Sequence, residues 1–316
     1  MPRKPPKYML HKPSGQAHCT TQVACGRYRH IFTTASDREE LALEPGVYQL
    51  TEFRLGQEIS QGFRILPRAN FFVRKINLEF TNRGTDADVQ RFNNARRLDW
   101  LSLNGSAVSI QGLHALAGLP ISELYVSSTR LQYADLPAIV ADFPQLTRLD
   151  LRQLKGERGQ GFAPLASLPQ LNFLELDATH VLAEPSELAQ LAELKTIRIS
   201  GQRIPVPASV ISALDQIPHV ESLVLALSSL EADVYETLSQ NSTLTSLEIN
   251  NCQIDGRQVE LLASMSRLQV LKLYGMNSTH AGMEKLSFTL PHCHIQWNGG
   301  QILPSQTSDS DRRVTE

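Results

Sequence analysis

A short apolar pattern recurs along most of the chain at intervals of 23 to 26 residues. Each copy has an apolar residue, two variable residues, a second apolar residue, one variable residue and a third apolar residue. The nine copies begin at Val73, Leu98, Ile121, Leu146, Leu171, Leu194, Val220, Leu244 and Leu268. A repeat of this length predicts an array of units, each of which buries its apolar side only by stacking on its neighbours.

Each unit is predicted to contain a strand followed by a helix or a turn. Apolar and variable residues alternate around the middle apolar position, which is typical of a short strand with one buried face. Apolar residues at helical spacing follow in several units, as in Leu136 with Ile139 and Val259 with Leu262. Stacking would join the strands into a parallel sheet on one side of the array, with the helices on the other side.

The pattern resembles the leucine-rich-repeat family, whose LxxLxL core and unit of roughly 20–29 residues match residues 73–297. The unit of about 24 residues is similar to bacterial members. The resemblance implies an α/β solenoid, a curved horseshoe with the parallel sheet on its concave face and helices or turns on its convex face. The ninth position, usually Asn in the family, is mostly Thr, Ser or Cys here, as at Thr129, which suggests a variant class with helical outer segments.

The segments outside the repeats are predicted to form caps and termini. The first acidic residue is Asp37, so the opening segment is basic and is expected to be flexible. The C-terminal end of the array is expected to be closed by Trp297. The predicted divisions are a basic arm at 1–39, a degenerate first repeat or cap at 40–72, nine repeats at 73–291, a cap strand at 292–303 and a disordered tail at 304–316.

Composition and charge narrow the class of protein. A 41% hydrophobic share in 316 residues excludes wholesale disorder. No apolar run approaches the roughly 18–20 residues of a membrane-spanning helix, so no membrane partner is expected. The basic opening segment is followed by no apolar stretch of the kind found in export signals, which predicts a cytoplasmic location with reduced thiols. The four cysteines lack the paired spacing of a disulfide scaffold.

Motifs of catalysis and of metal binding are missing from the sequence. It contains no HExxH, GxxxxGK[ST], GxSxG or CxxC pattern, and we predict a protein that is not an enzyme and has no cofactor or metal. His18, Cys19, Cys25 and His30 are residue types that bind zinc, but their spacing fits none of the usual structural sites. We favour the interpretation that they belong to a thiol-bearing loop.

The outward strand positions of the predicted sheet form the candidate binding surface. They are rich in aromatic and arginine residues, the types that dominate the energetics of protein interfaces. The predicted partner-binding residues are Trp100, Tyr125, Arg148, Asp150, Arg152, Phe173, Glu175, Arg198 and Tyr274. Four of them, Trp100, Tyr125, Arg148 and Phe173, lie in consecutive repeats and should form one patch. The predicted function is a scaffold that binds another protein through the concave face.

Two alternatives remain open at this point. Members of the family often serve as substrate-recognition subunits of ubiquitin-ligase-type complexes or as effectors, although residues 1–72 show no F-box-like helical pattern. The other alternative is a protein that associates with nucleic acid through its basic arm, residues 1–36. Residues 73–303 hold 18 Lys and Arg against 23 Asp and Glu, so the repeats themselves should not attract phosphates.

Overall fold

The computed structural model describes residues 19–25, 28–33, 46–52, 71–77, 84–93, 95–156, 161–182, 184–201, 205–226, 229–230, 232–250, 254, 256–275 and 280–304. The chain divides into two compact units, Met1–Asn172 and Phe173–Glu316.

The first unit is built on a sheet whose strands follow one another in chain order. Its strands are β1 (Cys19–Cys25), β2 (Tyr28–Thr33), β3 (Gly46–Glu52), β4 (Phe71–Asn77), β5 (Trp100–Ser102), β6 (Glu123–Tyr125) and β7 (Arg148–Asp150). β1 and β2 are antiparallel, and the later neighbours are parallel. The connections carry α1 (Asp86–Val89), α2 (Ile110–His114), α3 (Leu136–Asp142) and short 3-10 helices at Gln90–Phe92, Tyr133–Asp135 and Ala163–Ser167.

The second unit has the same organisation. Its main sheet has the order β8-β9-β11-β13-β14-β15-β16, parallel except for the final β15–β16 pair, and β10 pairs with β12 in a separate parallel ladder. The strands are β8 (Phe173–Asp177), β9 (Thr196–Ser200), β10 (Pro205–Val206), β11 (Ser222–Ala226), β12 (Ser229–Leu230), β13 (Ser246–Asn250), β14 (Val270–Tyr274), β15 (His294–Trp297) and β16 (Gly300–Ile302). The helices are α4 (Ala178–Val181), α5 (Ala208–Leu214), α6 (Ala232–Gln240), α7 (Gly256–Ala263), α8 (His280–Thr289) and a 3-10 helix at Pro185–Gln190.

The repeated apolar residues form the core of each unit. The middle residues of the pattern pair in direct register from strand to strand, as Leu101 does with Leu124 and Leu124 with Leu149, and all three are fully buried. Burial of one such leucine stabilises the fold by about 1.5–3 kcal/mol. The stacked strands with buried apolar positions that the repeat predicts are present, and the leucine-rich-repeat fold is confirmed within each unit.

The predicted helical segments are also confirmed. α3 contains Leu136 and Ile139, and α7 contains Val259 and Leu262, all of which are buried. α2 packs against both α1 and α3, and in the second unit α5, α6, α7 and α8 pack successively in the same way. Helices and strands thus bury their apolar sides against one another. The opposite side of each sheet carries both half-exposed side chains, such as Trp100 and Tyr125, and buried ones, such as Asp150. No helix of the described segments is long and apolar enough to cross a bilayer.

Regular structure begins within the segment expected to be a flexible arm. β1 and β2 lie inside residues 1–39, so Cys19 and Cys25 are the ends of a strand and not parts of a loop, while His18 lies outside the described residues. β3 falls within 40–72, and β15 and β16 fall within 292–303. The division into arm, caps and tail stays a prediction, and residues 305–316 lie outside the described part of the chain.

Candidate functional site

The sheet of the first unit presents two rows of side chains on the side away from its helices. The residue before each middle apolar position forms one row, and the residue after it forms the other, because strand residues alternate between the two sides of a sheet. We call the following set the β4–β7 face: Lys75, Trp100, Glu123 and Arg148 in the first row, and Ser102, Tyr125 and Asp150 in the second.

Two aromatic side chains and one ammonium group form the centre of this face. The ring centroids of Trp100 and Tyr125 are 5.4 Å apart, with the ring planes inclined at 43°. The Nζ of Lys75 lies 5.6 Å from the centroid of the Trp100 ring, within the range of a cation–π contact. Both rings are half-buried. The pairing contributes about 0.5–1.5 kcal/mol beyond the area that it buries, so it holds both rings in place.

Glu123 connects this aromatic pair to Arg148. The Tyr125 hydroxyl donates a hydrogen bond of 3.1 Å to Oε2 of Glu123, and the Nε of Arg148 lies 3.6 Å from the same oxygen. Burial raises the pKa of Tyr125, and the negative charge of Glu123 raises it further, while Arg148 acts in the opposite direction. The Tyr125 hydroxyl therefore stays protonated at neutral pH and remains a hydrogen-bond donor.

Asp150 lies at the end of the second row and is fully buried. Arg152 satisfies it with three hydrogen bonds: the backbone N–H and the Nε each donate to Oδ1 at 3.0 Å, and Nη2 donates to Oδ2 at 2.8 Å. A bidentate guanidinium of this kind neutralises a buried carboxylate and removes it from contact with water. Asp150 and Arg152 consequently act as one uncharged structural unit at the edge of the face.

The sheet of the second unit carries charged pairs in place of the aromatic centre. Nε of Arg198 lies 2.9 Å from Oε1 of Glu175, its direct neighbour on β8. Nζ of Lys272 lies 3.5 Å from Oε2 of Glu248, its direct neighbour on β13. Beyond them, the Tyr274 hydroxyl donates a 3.3 Å hydrogen bond to Gln296. Each cation of this row therefore has its own carboxylate opposite it.

The structure brings some of the predicted site residues together and places others differently. Trp100 and Tyr125 are in contact and Arg148 lies on the next strand, while Phe173 belongs to the second unit. The two carboxylates of the set, Asp150 and Glu175, are buried, and each has an arginine nitrogen within 3.0 Å, at 2.8 and 2.9 Å. The role of the whole set in binding a partner stays a prediction.

Three members of the β4–β7 face are absent from the predicted partner-binding residues: Lys75, Glu123 and Ser102, of which Ser102 is fully buried. Lys75 and Glu123 occupy the same strand position as Trp100, directly before the middle apolar residue of their repeats. Their position in the repeat, which is the same as that of Trp100, is the sequence signal that places Lys75 and Glu123 on the face. Direct register puts equivalent residues of adjacent parallel strands in one row. Neither Lys75 nor Glu123 is aromatic or arginine, the two residue types on which the predicted binding surface was based.

Groups suited to metal binding or acid–base chemistry are few in the described segments. They contain no cluster of three or more His, Cys, Asp or Glu side chains that could hold a metal ion. The side chains of Cys19, Cys25 and His30 lie outside what the structure describes. His280 and Glu284 are 3.2 Å apart on α8, and both are well exposed, which is typical of an outer helix face.

Comparisons with known proteins give the following likenesses. No protein-family model matches the chain. A disease resistance protein, UNI, of Arabidopsis thaliana is 29% identical over 143 residues, which are 44% of this chain and 15% of the length of that protein. The crystal structure of an internalin, InlF, of Listeria monocytogenes is similar with a TM-score of 0.40 and 19% identity, covering 72% of this chain and 74% of that one.

Proposed function

We propose that this chain, a leucine-rich-repeat protein, is a non-catalytic scaffold that binds another protein through the exposed side of its sheet. The predicted partner-binding residues lie on that side in both units, and we assign the principal contacts to the β4–β7 face. A cytoplasmic location stays a prediction.

The observation that carries the proposal is the aromatic pair at the centre of the β4–β7 face. Trp100 and Tyr125 are large, half-exposed side chains on adjacent strands, and their mutual contact and the hydrogen bond to Glu123 restrict their motion. Aromatic groups that are already held in place lose little conformational entropy when a partner covers them. They can therefore supply the buried contacts that dominate a protein interface.

The two alternatives make different demands on the chain. A ligase-type recognition subunit would use the same face for a substrate and needs a further surface for the enzyme. A nucleic-acid-associated protein would use residues 1–36, of which the structure describes only the strands β1 and β2. Both therefore predict particular molecules in a capture experiment: ligase components in the first case and nucleic acid in the second.

The test is affinity capture from a lysate of the source organism with the full chain and three variants. Trp100→Ala and Tyr125→Ala remove the aromatic pair from the sheet. Phe288→Ala is the matched control, because it removes an aromatic ring that is 86% exposed on α8, away from the sheet. Mass spectrometry identifies the proteins that are retained, and the affinity of each variant for the main one is then measured.

We expect a discrete protein to be retained by the wild type and by Phe288→Ala. The variants Trp100→Ala and Tyr125→Ala should bind it at least about tenfold more weakly, because each removes a central contact. Melting temperatures should confirm that all three variants are folded. Equal binding by the two sheet variants would contradict the proposal, and retention of nucleic acid in place of protein would favour the alternative.

A further inference from the structure

The sequence contains two Asn–Gly pairs, Asn104–Gly105 and Asn298–Gly299. Asparagine is one of the thermolabile residues, because its side-chain amide can be attacked by the backbone nitrogen of the residue that follows. A following glycine has no Cβ to hinder that approach. Both pairs have the same reacting groups, so the fold determines which of them is able to react.

Asn104 and Gly105 are both bonded to the backbone of the next repeat. The Oδ1 of Asn104 accepts a hydrogen bond of 2.8 Å from the N–H of Ser127. The N–H of Gly105 donates a hydrogen bond of 2.8 Å to the backbone oxygen of the same serine. Both residues of the pair are half-buried. The side-chain amide and the nitrogen that would attack it are therefore held apart, and the reaction requires both hydrogen bonds to break.

Asn298 and Gly299 form the exposed turn between β15 and β16. The residues on either side of the turn, Trp297 and Gly300, are paired in the antiparallel ladder. Among the residues that the structure describes, none forms a hydrogen bond with the side chain of Asn298 or with the N–H of Gly299. The reacting groups of this pair are therefore held only by the turn itself.

The packing of Trp297 requires glycine at position 299. A Cβ at Gly299 would lie 2.5 Å from Nε1 and 3.2 Å from Cδ1 of the Trp297 ring. That ring is only 6% exposed and belongs to the core, so it cannot easily move aside. The residue that leaves the Asn298 amide most open to attack is thus the one that the fold needs at this point.

We propose that Asn298 is a site of spontaneous deamidation and that Asn104 is protected from the same reaction. The backbone nitrogen of Gly299 forms a bond to Cγ of Asn298, which closes a succinimide ring. The bond from Cγ to Nδ2 breaks, and Nδ2 leaves as ammonia together with the proton of the attacking nitrogen. A water molecule from the solvent then adds to one of the two ring carbonyl groups and breaks its bond to the ring nitrogen. The product is aspartate or isoaspartate, depending on which carbonyl group is hydrolysed.

The isoaspartate product changes the pairing of β16. Its main chain runs through the side chain, so the turn gains one backbone carbon atom. The present turn has two residues and joins the paired residues Trp297 and Gly300, and the longer turn does not keep that pair in register. β16 then separates from β15, while β15 keeps its parallel pairing with β14. This modification does not depend on the proposed binding function, because it affects the β15–β16 hairpin and not the β4–β7 face.

The test incubates the full chain in neutral buffer and, in parallel, in concentrated guanidinium chloride. Peptide mass spectrometry follows the replacement of the amide NH2 by OH at each site, and Asn104 is the internal control. In the folded chain Asn298 should react at least about tenfold faster than Asn104, because Asn104 reacts only after local opening. In the denatured chain the two rates should become similar. Similar rates in the folded chain would overturn the proposal, and so would a difference that persists in the denaturant or an Asn298 that does not react.

The variant Asn298→Gln separates the modification from other effects of incubation. It keeps an amide in the turn, but its longer side chain must close a larger ring, so it should react far more slowly. Methyl transfer from S-adenosylmethionine by an isoaspartyl methyltransferase should label the incubated wild type and leave the incubated variant unlabelled. Amide hydrogen exchange in β16 should accelerate with incubation in the wild type alone, while exchange in β14 stays unchanged. Equal labelling of the two proteins, or unchanged exchange in β16 of the labelled wild type, would overturn the proposal.

Discussion

At the scale of single residues, Asp150 illustrates how a carboxylate can occupy an outward strand position and still be buried. Its oxygens accept two side-chain hydrogen bonds from Arg152, at 3.0 and 2.8 Å. We predict that Arg152→Ala lowers the free energy of unfolding by about 2–3 kcal/mol, because it leaves a buried carboxylate without its cation. Urea denaturation of the two proteins measures the difference.

Arg148→Ala provides the comparison for that prediction. The Arg148 side chain is 41% exposed and its Nε lies 3.6 Å from a partly exposed carboxylate, so the loss should be about 1 kcal/mol. Equal losses for Arg148→Ala and Arg152→Ala would show that Asp150 does not depend on its bidentate partner.

Cys293 is a buried thiol at the C-terminal end of the second unit, and burial raises the pKa of this thiol from 9.0 to about 11. Between these two values the unfolded chain releases the proton while the folded chain retains it. The unfolded state then binds fewer protons, so the stability that this group contributes is complete below pH 9.0 and is lost as the pH rises towards about 11. We predict that the wild type loses more stability over this range than Cys293→Ala does. Parallel melting-temperature curves for the two proteins would contradict the prediction.

At the scale of elements, the apolar period specifies strands and helices but not the turns that join them. Leu136 and Ile139 indicate α3 directly, because a buried helix face needs apolar residues at that spacing. After β5, β6 and β7, the turns place Gly105, Ser128 and Gln153 in the left-handed region at φ values of 71°, 57° and 54°. Only the glycine signals this conformation in the sequence. At the other two sites the surrounding turn imposes it on residues that do not favour it.

The ninth repeat position has a hydrogen-bonding role that the sequence alone does not reveal. Thr129 is buried, and its hydroxyl donates to the backbone oxygen of Val126 at 2.8 Å and accepts from the N–H of Leu131 at 3.3 Å. A threonine therefore bonds the backbone of the turn at the position where the family usually has asparagine. The sequence showed the replacement, but the hydrogen bonds depend on a side-chain rotamer that the repeat pattern does not specify.

The junction of α1 and α2 depends on a close approach that only glycine permits. A Cβ at Gly112 would lie 2.9 Å from Cγ1 of Val108 and 3.0 Å from Cα of Asp86. Asp86 in turn accepts hydrogen bonds from the N–H and the hydroxyl of Ser109, at 2.7 and 2.6 Å. We predict that Gly112→Ala lowers the free energy of unfolding by about 1–3 kcal/mol, because the added methyl group overpacks this junction. Chemical denaturation provides the measurement.

Gly256→Ala is the control for the junction, because a Cβ there has no atom of the described structure within 4 Å. It lies at the start of α7, where alanine favours the helix, so this variant should be unchanged or more stable by up to about 1 kcal/mol. A similar loss of stability in both variants would show that the effect at Gly112 is not steric.

At the scale of the whole molecule, the aromatic centre could be predicted from the sequence but its charged surroundings could not. Strand alternation is enough to place Trp100 and Tyr125 on the outward side. The cation–π contact of Lys75 and the two hydrogen bonds from the Arg152 side chain depend on side-chain rotamers. Both side chains are long and flexible, and the repeat pattern does not specify which rotamers they adopt. The sequence therefore predicts where a partner could bind, whereas the charge that the partner meets follows from the folded structure.

The packed pairs of helices and strands in each unit come from the same coil or from neighbouring coils. Stability in such an array is close to a sum of coil and interface contributions, so a defect in one coil should spread only to its neighbours. Leu124→Ala tests this, because Leu124 is fully buried on β6 and pairs with Leu101 and Leu149. We predict a loss of about 3 kcal/mol and faster amide hydrogen exchange in β5, β6 and β7, with exchange in β13 and β14 unchanged. Mass spectrometry of the exchanged peptides measures this, and a uniform increase along the chain would show that the protein unfolds as one cooperative unit.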